Sequence, residues 1–238
     1  IAMNTSEHLS TQYDADLRAL RSRVMDMGMT VDEQFRLAIE ALTQGREEIA
    51  RRVIENDARV NELEVSIDDD CARVIAKRQP AAGDLRMVLG VTRMTTDLER
   101  IGDKARKIAR LSAPIRSSSV ADDEWLRDIK DLAARASTLV REALNAFVRG
   151  ELEGAIDVIR QANALGRQSN AVSNVLTRRM SEQPGEIAVL LDMLSVVRAV
   201  DRVADHAGNL SEHLIYIVHG TDVRHATLDQ IEREALQR

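Results

Sequence analysis

The chain has 238 residues, a formal net charge of −6 and only 2% aromatic residues. That acidic balance, with no compensating Lys/Arg cluster, argues against nucleic acid as a partner, and no apolar run approaches the ~20 residues that a membrane helix needs. A single cysteine, Cys71, rules out internal disulfides and cysteine-rich zinc sites and fits a reducing compartment, so a soluble, unsecreted, cytoplasmic protein is expected.

Helix formers outweigh strand formers throughout, which predicts an all-α fold. Ile1, Ala2 and Met3 read as residues placed ahead of a natural start. The first helix, over 6–44, carries Leu17, Leu20, Val24, Met27 and Val31 at alternating spacings of 3 and 4, the seam of coiled-coil-like bundle packing. Met25, Met27 and Met29 follow helical spacing and read as bundle packing. Gly45 ends this helix, since glycine takes the left-handed cap conformation without strain. The second helix, over 46–78, has Val60, Leu63, Ile67 and Val74 on its seam, Cys71 beside them as a small core residue, and Asp57, Asn61, Glu64 and Asp68 one step round.

Pro80 precedes the third helix, over 81–112, whose core stripe is Val91, Met94, Leu98, Ile101, Ala105 and Ile108. About 100° round runs a second stripe of Leu85, Leu89, Thr92, Thr96, Glu99 and Asp103. Pro114 marks a polar stretch, and helices over 122–149, 151–182 and 185–219 follow, punctuated by Gly150 and Pro184. The sixth helix repeats both stripes: Met193, Val196, Val200, Val203, Ala207 and Leu210 in the core, then Ile187, Leu191, Leu194, Arg198, Asp201 and Asp205 beside it. A polar tail is expected after Gly220.

The resemblance between the third and sixth helices is an internal repeat. Gly83–Asp103 aligns without a gap to Gly185–Asp205, shifted by 102 residues, and the segments around Gly45 and Gly150 match at a shift of 105. The chain is therefore predicted to form two tandem antiparallel three-helix bundles related by duplication: 6–112, a linker over 113–121, then 122–220, with a tail over 221–238.

Both copies end in an acid, an arginine, an apolar residue, a small residue and an aspartate: Glu99-Arg100-Ile101-Gly102-Asp103 and Asp201-Arg202-Val203-Ala204-Asp205. The i, i+4 spacing stacks two carboxylates on one helix face, where like charges cost about 0.2–0.5 kcal/mol even when exposed. If the second and third helices are antiparallel, Glu64 and Asp68 face Glu99 and Asp103, and four carboxylates converge on a groove that calls for cations or protons. One such pair is ordinarily a solvated face; its recurrence in both halves favours a metal site. Oxygen donors suit hard ions such as Mg, Mn, Ca or Fe(III), while zinc normally prefers histidine or cysteine. The residues do not choose among divalent and trivalent ions, and Mg, Mn, Fe and Zn all stay open.

Arg78-Gln79-Pro80-Ala81-Ala82-Gly83-Asp84-Leu85-Arg86, followed by Leu98 to Asp103, resembles the hallmark of the PhoU family, and Asp205-His206-Ala207-Gly208-Asn209 resembles the same motif in that family's second half. The similarity runs from about Glu7 to His225, including Gly220-Thr221-Asp222-Val223-Arg224-His225. It implies two three-helix bundles, metal clusters on the paired acid motifs, frequent homodimers and a regulatory role without catalysis. The family's members are accessory proteins of the phosphate ABC transporter, which they couple to a membrane sensor histidine kinase while restraining the starvation response and uptake. Three residues depart from the pattern: Asp201 for Glu, Ala204 for Gly and Lys107 for Asn. The fifth helix carries no acid between Asp157 and Glu182, so tighter metal binding is expected in the first half.

His206 and His213, seven residues apart, are candidate nitrogen ligands beside Asp205, but read more simply as a packing residue and ordinary helix surface. Arg100 and Arg202 are placed to hold carboxylates, to pair across a dimer or to form surface salt bridges. Two other functions compete with the adaptor. A di-iron helical oxidoreductase would need Glu-x-x-His motifs pointing into the core, and this chain has none. A metal-free scaffold would ignore the loss of Glu99 and Asp103.

Overall fold

The computed structural model describes residues 3–224 and 226–236; Ile1, Ala2, His225, Gln237 and Arg238 lie outside the described residues. Among those described are seven α-helices and no strand: α1 Met3–Gln44, α2 Glu47–Arg78, α3 Ala82–Arg116, α4 Asp123–Arg149, α5 Leu152–Glu182, α6 Ile187–His219 and α7 Leu228–Leu236. None is long and apolar enough to cross a membrane.

The expected breaks carry the expected backbone. Gly45, Gly150 and Gly220 have φ of 67°, 68° and 83°, the left-handed region that glycine enters without a Cβ clash. Asp122 caps α4 by accepting the Trp125 amide at 2.9 Å. Pro114, however, does not stop α3, which continues to Arg116. In a last turn a proline removes only one hydrogen bond, and the fully buried Ile115 and the 3.0 Å bond from the Ser117 amide to the Ala113 carbonyl hold the turn.

Helices α1, α2 and α3 pack on one another, as do α4, α5 and α6. Every residue of the two predicted core stripes on α3 and α6 is fully buried, and Cys71 is buried as a small core residue. Met29 departs from the reading as packing, since it is 62% exposed while Met27 is buried. A two-residue step on a helix turns the side chain about 200°, which carries Met29 off the seam.

The two bundles meet along α3 against α6 and α1 against α4, and one apolar core runs through both. Close approach at these crossings explains two glycines. A Cβ at Gly28 of α1 would run into Leu144 of α4, and one at Gly90 of α3 would come within 2.5 Å of Ile217 of α6. Asp32 of α1, buried at the seam, accepts the Ser137 hydroxyl of α4. Gly90 beside Ile217, and Asp97 beside His206 and His213, show that α3 and α6 run antiparallel.

The tail is not merely polar. Val223 and Ile231 are buried, α7 lies on α5, and Arg160 of α5 bonds Glu232 at 2.7 Å. Ile231→Asp is expected to release α7 at a cost of about 2–4 kcal/mol of local stability, the burial lost plus the charge desolvated. Amide exchange should then become fast across 226–236 and stay slow in α3 and α6; protection retained in α7 would show that Ile231 does not anchor it.

Candidate functional site

Helices α2 and α3 are antiparallel in a register that can be read from four contacts. Asp57 pairs with Arg106, Val60 packs on Gly102, Glu64 lies by Glu99 and Thr96, and Asp68 lies by Thr95. Gly102 eases this crossing, because a Cβ there would sit 3.2 Å from Val60 and push it back by a few tenths of an ångström. The register makes Glu64, Glu99 and Asp103 electrostatic neighbours. It sets Asp68 about a turn away, toward Thr95, and brings in Asp57, which is buried.

Burial is the main reason the Glu99 carboxyl is held above its ordinary range; Asp103, Glu64 and Asp57 push the same way, against Arg106. Glu64 is raised by burial and by Asp68, while Thr96 and Arg100 pull it down. Asp68 is raised by burial, against a hydroxyl contact from Thr95, and its Oδ1 is buried without a hydrogen-bond partner. Arg106 bridges Asp57 and Asp103, placing one guanidinium at the edge of the acids.

The second half repeats the motif with fewer charges. Asp201 and Asp205 sit on α6, and Arg202 bonds Asp205 at 2.9 Å. At the place matching Glu64 stands Ser169, which faces Asp201 from α5. Both the buried Ser169 hydroxyl and Asp201 Oδ1 lack a hydrogen-bond partner, and Gly166 leaves open the space beside that oxygen, where a Cβ would come within 3.5 Å. Burial, then Asp205, raises the Asp201 carboxyl above its usual value, against Ser169 and Arg202. Gly208 and Ala162 occupy the places of Arg106 and Asp57, so this half has no equivalent bridge.

Among the described residues, no three His, Cys, Asp or Glu side chains come together as a metal-ion site. The donor chemistry nonetheless suits a hard cation: Glu64, Asp68, Glu99 and Asp201 are held above their usual range, and Asp68 Oδ1 and Asp201 Oδ1 are buried without partners.

A further polar cluster joins the two halves. Asp97 of α3 is buried and accepts three bonds from α6: His206 Nδ1 at 2.8 Å and Asn209 Nδ2 at 3.0 Å on one oxygen, and His213 Nε2 at 2.8 Å on the other. Burial alone would raise the Asp97 carboxyl, but the three donors together hold it far below its ordinary value. Neighbouring Glu212 is pushed up to about 7 by burial, by Asp97 and by Asp222, against Arg224. His213 is thus a buried donor, not helix surface, and His206 serves Asp97 instead of standing as a ligand beside Asp205. The signal in the sequence is that Asp97 lies three residues after Met94 and four before Ile101, inside an apolar seam where a carboxylate needs donors.

Comparison with known proteins agrees with this arrangement. A profile of the PhoU domain matches residues 24–112 and 129–214, one stretch in each half. The phosphate-specific transport system accessory protein PhoU homolog of a Burkholderia species is 37% identical over 97% of this chain and 98% of its own length. The corresponding accessory protein PhoU of Escherichia coli K12 is 34% identical over 98% of this chain and 95% of its own. The crystal structure of PhoU from Pseudomonas aeruginosa superposes with a TM-score of 0.82 at 34% identity, covering 88% of this chain and 100% of that one. With the duplicated bundle, both acid motifs and near full-length similarity, the chain belongs to the PhoU family.

Proposed function

We propose that this protein is a non-catalytic adaptor of the phosphate transport system. It acts in the cytoplasm as a homodimer, touches membrane complexes only at their surface, and links the ATPase of the phosphate ABC transporter to its sensor histidine kinase. Through that link it represses the phosphate-starvation response and restrains uptake when phosphate is ample. The observation that carries the reading is similarity over nearly the whole chain to phosphate-specific transport system accessory proteins.

Within this reading the acid motifs bind metal. Glu64, Glu99 and Asp103, with Asp68 one turn off, would hold a hard cation between α2 and α3, and Asp201 and Asp205 another against α5. A bound cation supplies positive charge where the carboxylates repel one another. The chain's own part is to keep these oxygens clustered and partly dry on rigid helices. A second reading, a scaffold that needs no metal, is favoured by Arg106, which already neutralises part of the first cluster.

The test is a secreted alkaline phosphatase reporter in a strain lacking this gene, grown in ample phosphate. Expression is expected to rise severalfold and to return to its repressed level with the intact gene. Repression that persists without the gene, in a strain with no second copy, would refute the adaptor reading.

A further inference from the structure

We propose that Arg106 is a tethered cation that competes with metal for Asp103, so that the first acid motif binds metal only by displacing its own guanidinium, whereas the second motif is paired with the solvated, untethered Arg202. The inference rests on the reading of the acid motifs as metal sites. It starts from a contrast between two copies of one design. In the first copy Arg106 grips Asp103 on its own helix and Asp57 on α2. In the second, the matching residues are Gly208 and Ala162, which carry no charge.

Asp57 is what makes the competitor persistent. Its side chain is only 8% exposed, so a guanidinium bonded to it is held near Asp103 even when that contact opens. A solvated arginine would drift away at little cost. Asp68 Oδ1 at the far end stays without a partner. The first site is thus neutralised at the Asp103 end and open at the Asp68 end.

The second site is poorer in acids, and its arginine is not tethered. Ser169 of α5 neighbours Asp201, whose Oδ1 is buried without a partner, and among the described residues the cation bonded to the motif is Arg202, whose side chain is 66% exposed. The expectation from acid count, tighter binding in the first half, is therefore opposed by a residue of the chain itself.

Mn(II) binding, followed by calorimetry and by the loss of the free-ion resonance, tests this with each half isolated by Asp201→Ala/Asp205→Ala or Glu99→Ala/Asp103→Ala. With the second motif removed, Arg106→Gln is expected to tighten Mn(II) binding about 3- to 10-fold. With the first removed, it is expected to change nothing. Because Arg106→Gln leaves the Asp57 charge buried without its partner, Asp57→Asn and Asp57→Asn/Arg106→Gln are compared as a second pair, with helix content checked by circular dichroism. Equal or weaker binding on loss of Arg106 in both pairs would overturn the competition while leaving the metal sites standing. No Mn(II) binding by any variant or by the intact chain would overturn both.

Discussion

Asp97→Ala is expected to remove about 3–5 kcal/mol of folding stability, the range for leaving buried hydrogen-bonded partners without their charge. His206, Asn209 and His213 would all lose their acceptor at once, and two of the three are buried. A core exposed to water could hydrate them, but α3 and α6 pack around this point with Met94, Leu98 and Leu210 all fully buried. Urea unfolding at pH 7 measures the loss, and a change under 1 kcal/mol would mean that the cluster does not hold the halves together. The effect should depend on pH with a definite sign. The folded carboxyl is depressed, so its contribution is complete above the unfolded value of about 4 and is lost as the pH falls toward the much lower folded value. The part of the difference between the intact chain and Asp97→Ala that comes from the Asp97 carboxyl itself should therefore be constant from pH 5 to 7 and shrink below about pH 4. Because Asp97 helps push up Glu212, the variant should also titrate Glu212 at a lower pH.

This cluster also shows where sequence reading stops. Periodicity locates the seams of α3 and α6 because each position is decided by its own helix, and every one of those residues is buried. The partners of Asp97 lie more than 100 residues away, so only a packed tertiary structure can say that an acid inside one seam meets histidines on another. The acid motifs fall between these cases. Their helix faces follow from spacing, but which acids converge depends on the register of α2 against α3, which drops Asp68 by a turn and substitutes Asp57. Helix α7 was hidden for a different reason. Its nine residues, with Leu228 and Ile231 packed on the core, make too short a pattern to set against the charged residues around it, and its stability comes from docking more than from propensity.

Glu99→Ala with Asp103→Ala is expected to abolish metal binding in the first half and to raise the starvation reporter toward the level of the strain lacking the gene, while leaving the fold intact. The two halves of that statement rest on different physics. Folding should survive because these carboxylates repel one another in the absence of metal: burial and Asp103 hold Glu99 above its ordinary value, so its charge at neutral pH opposes folding. Arg106, released from Asp103, keeps Asp57 as a partner, so no buried charge is left unpaired. Signalling should fail because the same two oxygen donors are what the motif offers a cation. Loss of repression with unchanged helix content and equal or higher unfolding midpoint in chelator supports a metal-dependent adaptor. Full repression by a folded, metal-free variant would make the duplicated bundle a scaffold, with its acid motifs serving the fold through Arg106 and not the signal.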